Sequence, residues 1–253
     1  MDLGLGKRTA LVTGSHRGTG AATARVLAAE GASVIVHGLE PGQPDAVVES
    51  ILAEGGKARG VVADLLDDNA VAAMADEVGT EIDIVVCNYG VAAGGRWSTA
   101  DDDAWLEAYE RNVLSAVRVI RAFRPALVER AWGRIVLLGT VGSLRPAPIR
   151  PQYYSAKSAL PGLVVSLAQD LAQTGVTANL VSPGLIATPE VLERLRGRSV
   201  TEAFGSDLAP LTTAMTTPDE VGAVVAFLCS DQASSITGSN FRIDGGAARA
   251  VTP

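Results

Sequence analysis

The chain predicts an α/β fold, a single-domain doubly wound parallel sheet with helices on both faces, and three observations carry that prediction. Short runs rich in β-branched residues recur along the chain, helix-like segments separate them, and glycine or polar residues stand where each run ends. The runs are Thr9 to Thr13, Ser33 to His37, Ala58 to Ala63, Ile82 to Cys87, Arg134 to Gly139, Val176 to Val181 and Asn240 to Ile243. Sheets of this kind use right-handed crossovers and bind ligands beyond the carboxyl ends of their strands.

The first unit is the most specific. Thr9 to Thr13 reads as a buried strand, Gly14-Ser15-His16-Arg17-Gly18-Thr19-Gly20 follows at once, and Ala21 to Glu30 reads as a helix. Glycines at 14, 18 and 20 permit tight or positive-φ turns, and the helix amino end offers unpaired N–H groups to an anion such as a pyrophosphate. The spacing Gly-x-x-x-Gly-x-Gly differs from the Gly-x-Gly-x-x-Gly fingerprint, so taken alone the loop also reads as a simple turn. At the other strand ends stand His37, Asp64, Asn88 to Gly90, Thr140 and Pro183-Gly184. Residues 190–216 break the alternation and read as either a substrate lid or an ordinary surface helix pair.

Composition narrows the function. A length of 253 residues with 47% hydrophobic content suits one large domain spanning the chain. No apolar stretch reaches about 18 residues and the start Met1-Asp2-Leu3-Gly4 lacks a signal pattern, so a cytoplasmic protein is expected. Cys87 and Cys229 each lie in apolar runs and read as buried thiols, and no metal ligand set is visible. A formal charge of -7 opposes binding to nucleic acid or an anionic membrane, leaving small molecules as partners.

Tyr153 and Lys157 stand four residues apart, a spacing that puts phenol and ammonium on one helix face. An ammonium beside a phenol favours the phenolate, so Lys157 is expected to bring Tyr153 toward the pH range where it serves as acid or base. Tyr154 is turned about 100° away and is expected to pack. Continuous helices are expected over Asp101 to Glu129 and Gln152 to Gln173, the second bent where Pro161 withholds an N–H from the carbonyl of Lys157.

These ordered elements together resemble the short-chain dehydrogenase/reductase family over nearly the whole chain. The matching stretches are Thr13 to Gly20, Asp64, Asn88-Tyr89-Gly90, Asn112, Tyr153, Lys157, Pro183 to Thr188 and Asp244-Gly245-Gly246. The resemblance implies a Rossmann-type domain and a nicotinamide-dependent oxidoreductase acting on ketones or secondary alcohols. Its catalytic set would be Asn112, Thr140, Tyr153 and Lys157. Its cofactor site would comprise Gly14, His16, Arg17, Gly18, Thr19, Gly20, His37, Gly38, Leu39, Asp64, Leu65, Asn88, Tyr89, Gly90, Tyr153, Lys157, Pro183, Gly184, Ile186 and Thr188, with no metal. Relatives by motif include 3-oxoacyl reductases and sugar or secondary-alcohol dehydrogenases. A non-catalytic dinucleotide-binding sensor on the same fold is the alternative from a different class.

Several positions depart from the family pattern. Thr140 stands where a serine is usual, with Ser143 as the other source of the hydroxyl. Tyr89 replaces a small residue and packs under the adenosine or walls the substrate pocket. Asn112 either holds a water linking Lys157 to solvent or bonds nearby backbone. The second strand ends His37-Gly38-Leu39-Glu40 with no acid at Gly38, and Arg17 can meet a 2′-phosphate, so NADP(H) is favoured while Glu40 keeps NAD(H) open. Specificity is expected from 92–98, 144–151 and 190–216. Trp97, Pro146, Pro148, Leu192 and Leu195 there predict a partly apolar pocket, while Arg145, Arg150, Arg194, Arg196 and Arg198 read first as solvated surface arginines and otherwise as groups that attract an acyl carrier or coenzyme A. The family also implies a homotetramer, accounting for apolar faces that include Val113, Val117, Ile120, Leu163 and Leu167.

Overall fold

Seven parallel strands are β1 (Thr9–Val12), β2 (Ser33–Gly38), β3 (Lys57–Val62), β4 (Ile84–Cys87), β5 (Gly133–Leu138), β6 (Val176–Pro183) and β7 (Asn240–Ile243). They form one sheet in the order β3-β2-β1-β4-β5-β6-β7. The computed structural model describes residues 2–205 and 209–248. The order reverses direction between β1 and β4, whose registers run Ala10 to Ile84 and Val12 to Val86, and this is the crevice where a doubly wound sheet binds its ligand.

Period-2 alternation splits the strand residues between two cores. Leu11, Val85, Cys87, Ile135 and Leu137 point to one face, where they meet α3 (Asp68–Val78), α5 (Ser115–Glu129) and α7 (Ala159–Asp170). Ala10, Val12, Ile84, Val86 and Val136 point to the other, against α1 (Gly18–Ala29), α2 (Asp45–Ala53) and α10 (Pro218–Leu228). The predicted fold class is therefore the observed one. Among the described residues no helix is long and apolar enough to cross a membrane.

Both predicted long helices are interrupted. The segment from Asp101 consists of α4 (Asp102–Tyr109), a π turn over Glu110–Leu114 and then α5. The segment from Gln152 consists of α6 (Pro151–Lys157), a break at Ser158 and then α7. The break accommodates Pro161, which falls in the first turn of α7, where its missing N–H has no intrahelical duty. Residues 190–216 contain α8 (Pro189–Leu195) and α9 (Val200–Phe204); residues 206–208 of that stretch lie outside the described residues.

The apolar residues assigned to a subunit face are not exposed. Val113 and Ile120 are buried in this chain's own core, and Val117, Leu163 and Leu167 pack against it half-buried. The sequence reading went astray because α5 and α7 lie flat on the sheet and spend those side chains there.

Candidate active site

The glycine loop leaves β1 at Gly14, with φ 60°, and enters α1 at Gly18, with φ 57°. Thr13 organises the floor: its Oγ1 accepts from the N–H groups of Asn88 and Tyr89 at 3.0 and 3.1 Å. The Asn88 amide then donates to the carbonyls of Thr13 and Gly14 at 2.9 and 3.0 Å. A Cβ on Gly20 would collide with that amide and come within 2.6 Å of the Gly14 carbonyl, so a larger residue would unseat the loop. At Gly18 a Cβ would meet nothing within 4 Å, so space lies open beside the helix amino end. That cradle, with Arg17 exposed and Thr19 half-buried, fits a pyrophosphate.

His37 does not belong to the open surface of this cradle. It is fully buried, its Nδ1 accepts from the Gly14 N–H at 3.0 Å, and its Nε2 faces the Ala63 carbonyl at 3.0 Å. Those contacts fix the Nε2–H tautomer, and burial pushes the imidazole down to about 4, so it stays neutral. The predicted contact of this side chain with the cofactor is corrected: both ring nitrogens are engaged inside the fold, and the histidine supports the loop from below. His16 is half-buried and its pKa is lowered by burial and by Arg17.

Gly38 is buried at the end of β2, and a Cβ there would lie 2.7 Å from that of Gln43. Gln43 Oε1 caps the Leu39 N–H at 2.8 Å, while Glu40 is exposed. Asp64, also exposed, turns the chain after β3 by accepting from the Leu66 N–H at 2.9 Å; Leu65 is buried in the core. Tyr89 does not line the substrate cleft. Its phenol meets the Arg111 guanidinium and lies near Asp64, away from the cavity that holds Tyr153.

At the carboxyl ends of β5 and β6, Thr140, Tyr153, Tyr154, Arg145, Arg150 and Gly184 line a cavity of about 170 Å³ together with Ala92, Ala147, Leu185, Ala247 and neighbours. Thr140 caps a short 3-10 turn, its Oγ1 accepting from the Gly142 N–H at 3.1 Å. Ser143 donates its hydroxyl to the Thr140 carbonyl at 2.7 Å and does not line the cavity. The Tyr154 ring packs on Gly142, as expected of it, yet also borders the cavity, its centroid 5.3 Å from that of Tyr153.

The electrostatics differ from the sequence expectation. Burial pushes the Tyr153 phenol up to about 12; Tyr154 adds to the rise and Arg150 opposes it. Lys157, 5% exposed, donates to the Leu138 carbonyl at 2.7 Å, and burial brings it down to about 8. Spacing put the lysine beside the phenol, but its ammonium turns to a backbone acceptor. The cation bearing on Tyr153 is Arg150.

Asn112 sits in the π turn with its side chain committed to backbone. It donates to the carbonyls of Val91 and Ala108 at 3.0 and 2.9 Å and accepts from the Val91 N–H at 3.0 Å. Both of its N–H groups are therefore used, which is the second of the two sequence readings. A Cβ on Gly90 would come 2.7 Å from Asn112 Oδ1 and 3.1 Å from Lys157 Nζ, so glycine is what lets these groups close on the loop. The sequence missed Gln152, which is 1% exposed and donates to the Gly94 carbonyl at 2.7 Å, holding the same loop from α6.

Where the resemblance expects the nicotinamide-side loop, β6 ends at Pro183, and the Gly184 N–H bonds the Ile243 carbonyl at 2.9 Å. Ile186 bridges to Thr216, and Thr188 caps α8. The cleft is partly apolar as expected, through Ala92, Val141, Ala147, Leu185 and Ala247, but the residues expected to make it so are corrected: Trp97 is 71% exposed against Trp105, and among the described residues of 190–216 none lines the cavity. Cys87 and Cys229 are free, buried and each pushed up to about 12 by burial. Among the described residues no cluster could hold a metal ion.

A dinucleotide-type cradle and a tyrosine-containing cleft at one crevice of a doubly wound sheet define an oxidoreductase architecture. The family model described as enoyl-(acyl carrier protein) reductase matches residues 14–248. An uncharacterized oxidoreductase YvrD of Bacillus subtilis is 33% identical, covering 99% of this chain and 100% of that protein. The 3-oxoacyl-[acyl-carrier-protein] reductase FabG of Escherichia coli is 31% identical over 94% of this chain and 96% of its own. The crystal structure of a 3-oxoacyl (acyl-carrier-protein) reductase from Agrobacterium tumefaciens, with NADP bound, has a TM-score of 0.89 at 32% identity, covering 96% of this chain and 95% of that one. The chain belongs to the short-chain dehydrogenase/reductase family. Its chemistry is NAD(P)(H)-dependent oxidation and reduction of carbonyl or alcohol substrates.

Proposed function

We propose that this protein transfers hydride between a nicotinamide and a small ketone or secondary alcohol, with Tyr153 as the general acid or base. The observation that carries the reading is that Thr140, Tyr153 and Gly184, which follow or lie beyond the carboxyl ends of the strands as the glycine loop does, border one cavity. The bound cofactor supplies or accepts the hydride. With its pKa near 12, Tyr153 holds its proton at neutral pH, which suits donation to a carbonyl oxygen during reduction. Thr140 steadies that oxygen with its hydroxyl, Lys157 supports the cofactor ribose, and Asn112 positions the 90–91 loop.

Gly14, His16, Arg17, Gly18, Thr19 and Gly20 would hold the phosphates; Gly38, Leu39, Asp64, Leu65, Asn88, Tyr89 and Gly90 the adenosine half; Pro183, Gly184, Ile186 and Thr188 the nicotinamide half. NADP(H) is preferred over NAD(H) in this reading. The packed Gly38 leaves no room for an acid, Arg17 is exposed, and a relative carries NADP. We place the protein in the cytoplasm as a homotetramer, with Leu106, Tyr109 and Val165, all exposed, at its contacts. The described parts of 190–216 serve as a lid, anchored by the Ile186–Thr216 bridge. The test is Tyr153→Phe with NADPH and a ketone panel: turnover should fall by about 10³-fold with the fold intact. Thr140→Ala should cost far more than Ser143→Ala. Full activity in Tyr153→Phe overturns the mechanism, and loss only in Ser143→Ala reassigns the hydroxyl.

A further inference from the structure

Five arginines stood out in the sequence, and the fold separates them into two groups. Arg194, Arg196 and Arg198 surround a cavity of their own with Glu190 and Glu193, where opposite charges mix. Arg145 and Arg150 instead line the cleft that holds Thr140 and Tyr153. Among the described residues lining that cleft there is no Asp or Glu, in a chain whose formal charge is -7. The site is thus locally cationic against the sign of the whole molecule.

Arg150 is built into position. It is half-buried at the start of α6 with φ 57° and ψ 44°, a left-handed conformation that residues with side chains seldom adopt. Its N–H donates to the Gly95 carbonyl at 2.8 Å, the Arg96–Ile149 bridge flanks it and Pro151 follows it. The side chain therefore departs from a fixed base, and its charge reaches the Tyr153 phenol. Arg145 is exposed at the rim. The cavity of about 170 Å³ is walled beside the two arginines by the small side chains of Ala92, Ala147, Ala247 and Ala248.

Resting on the reading of Tyr153 given above, we propose that the cleft selects a small oxo acid, or in reverse its hydroxy acid, whose carboxylate is held by Arg150 with Arg145 at the entrance. A guanidinium fork matches a carboxylate in two parallel hydrogen bonds, and anchoring one end of a short molecule fixes where its carbonyl lies. In the reduction a C–H bond forms at the carbonyl carbon as the dihydronicotinamide is oxidised. The oxygen takes the Tyr153 proton, and the carboxylate passes through unchanged.

The test compares pairs that differ only in charge, acetoacetate with methyl acetoacetate and pyruvate with methyl pyruvate, each with NADPH. For at least one pair, kcat/KM should favour the acid by about 30-fold or more. Arg150→Gln should bring that ratio to within about 3-fold, Arg150→Lys should keep part of it, and Arg145→Gln should lower it by about 3-fold. Malonate should inhibit the wild type competitively against the ketone and lose that effect in Arg150→Gln, with circular dichroism verifying the fold. A ratio near one in the wild type, or equal losses on acid and ester in Arg150→Gln, overturns the proposal. If Tyr153→Phe is inactive while the ratio is near one, only the carboxylate assignment fails. If Tyr153→Phe is fully active, or no ketone is turned over, the underlying reading fails with it.

Discussion

At the amino ends of the strands Asp83, 2% exposed, accepts from the Thr9 N–H at 2.9 Å and pairs with Arg130 at 3.1 Å and Arg8 at 3.5 Å. Arg134, equally buried, lies over the Trp132 ring with Arg8 also on that ring, and reaches Asp231 at 3.7 Å. At the carboxyl ends the buried Lys157 has a backbone carbonyl as its acceptor, and the cleft beside it holds two arginines with no acid among the described lining residues. One end of the sheet pairs its buried charge with opposite charge; the other sets Lys157 against a backbone carbonyl and Arg150 beside a phenol. Size does not mark the difference: a cavity of about 530 Å³ lies at the paired end, beside Trp132 and Arg134, against about 170 Å³ at the cleft. The chemistry of the lining distinguishes a scaffold from a site.

The sharpest way to break this contrast is Lys157→Met. Turnover should fall by about 10³-fold, while stability at pH 7 should rise by up to about 3 kcal/mol. The sign follows from a folded pKa near 8 against the ordinary 10.5. Between those values the unfolded chain binds the extra proton, so the wild type gains stability as pH rises through that window and bears the full cost below it. The advantage of the variant should therefore vanish by about pH 10.5 in urea titrations. A lower melting temperature at pH 7 would make Lys157 part of the scaffold instead.

At the opposite end, Asp83→Asn should destabilise the fold by about 2–3 kcal/mol, because the Thr9 N–H and two partly exposed arginines lose a shared carboxylate. Its kcat, measured on the folded fraction, should stay within about two-fold, since the reacting groups lie at the far edge of the sheet. A selective collapse of kcat would mean that the two ends are coupled.

The smallest effect concerns His37, buried and uncharged at the crevice. Its folded pKa lies near 4, below the ordinary 6.5, so the unfolded chain takes up a proton that the folded chain refuses. Stability should be complete above about pH 6.5 and decline by up to about 3 kcal/mol as pH falls to about 4. His37→Gln should flatten that acid decline in thermal melts; an unchanged slope would assign it to other groups.

Most of the scaffold was readable because strands buried on both faces advertise themselves as apolar runs between punctuating residues. The runs from Ser33, Arg134 and Val176 match strands to within a residue or two. The glycine loop was readable because Gly14 and Gly18 take positive φ, a local demand that glycine meets; Gly20 is needed instead for close packing against Asn88 and Gly14. What escaped was whatever depends on a partner distant in sequence. The π turn holds Asn112, whose amide reaches across to Val91, and no local pattern announces that contact. The Tyr153–Lys157 spacing was right about the helix and wrong about the charge, because the Leu138 carbonyl, 19 residues back, captures the ammonium. Arg150 looked like one of five surface arginines until the 95–96 backbone closed against it.

The stretch from Asn88 to Gly95 is pinned at four places: Asn88 to Thr13 and Gly14, Val91 to Asn112, Gly94 to Gln152 and Gly95 to Arg150. Dinucleotide seat and reaction chamber thus share a single rigid hinge pin, and drift in one half would be felt in the other. Protein engineers seeking new substrates should randomise positions 145, 147, 150, 185 and 247 and leave 88–95 alone. Variation concentrated on the chamber's outer wall can then retune what enters while the seat stays as it is.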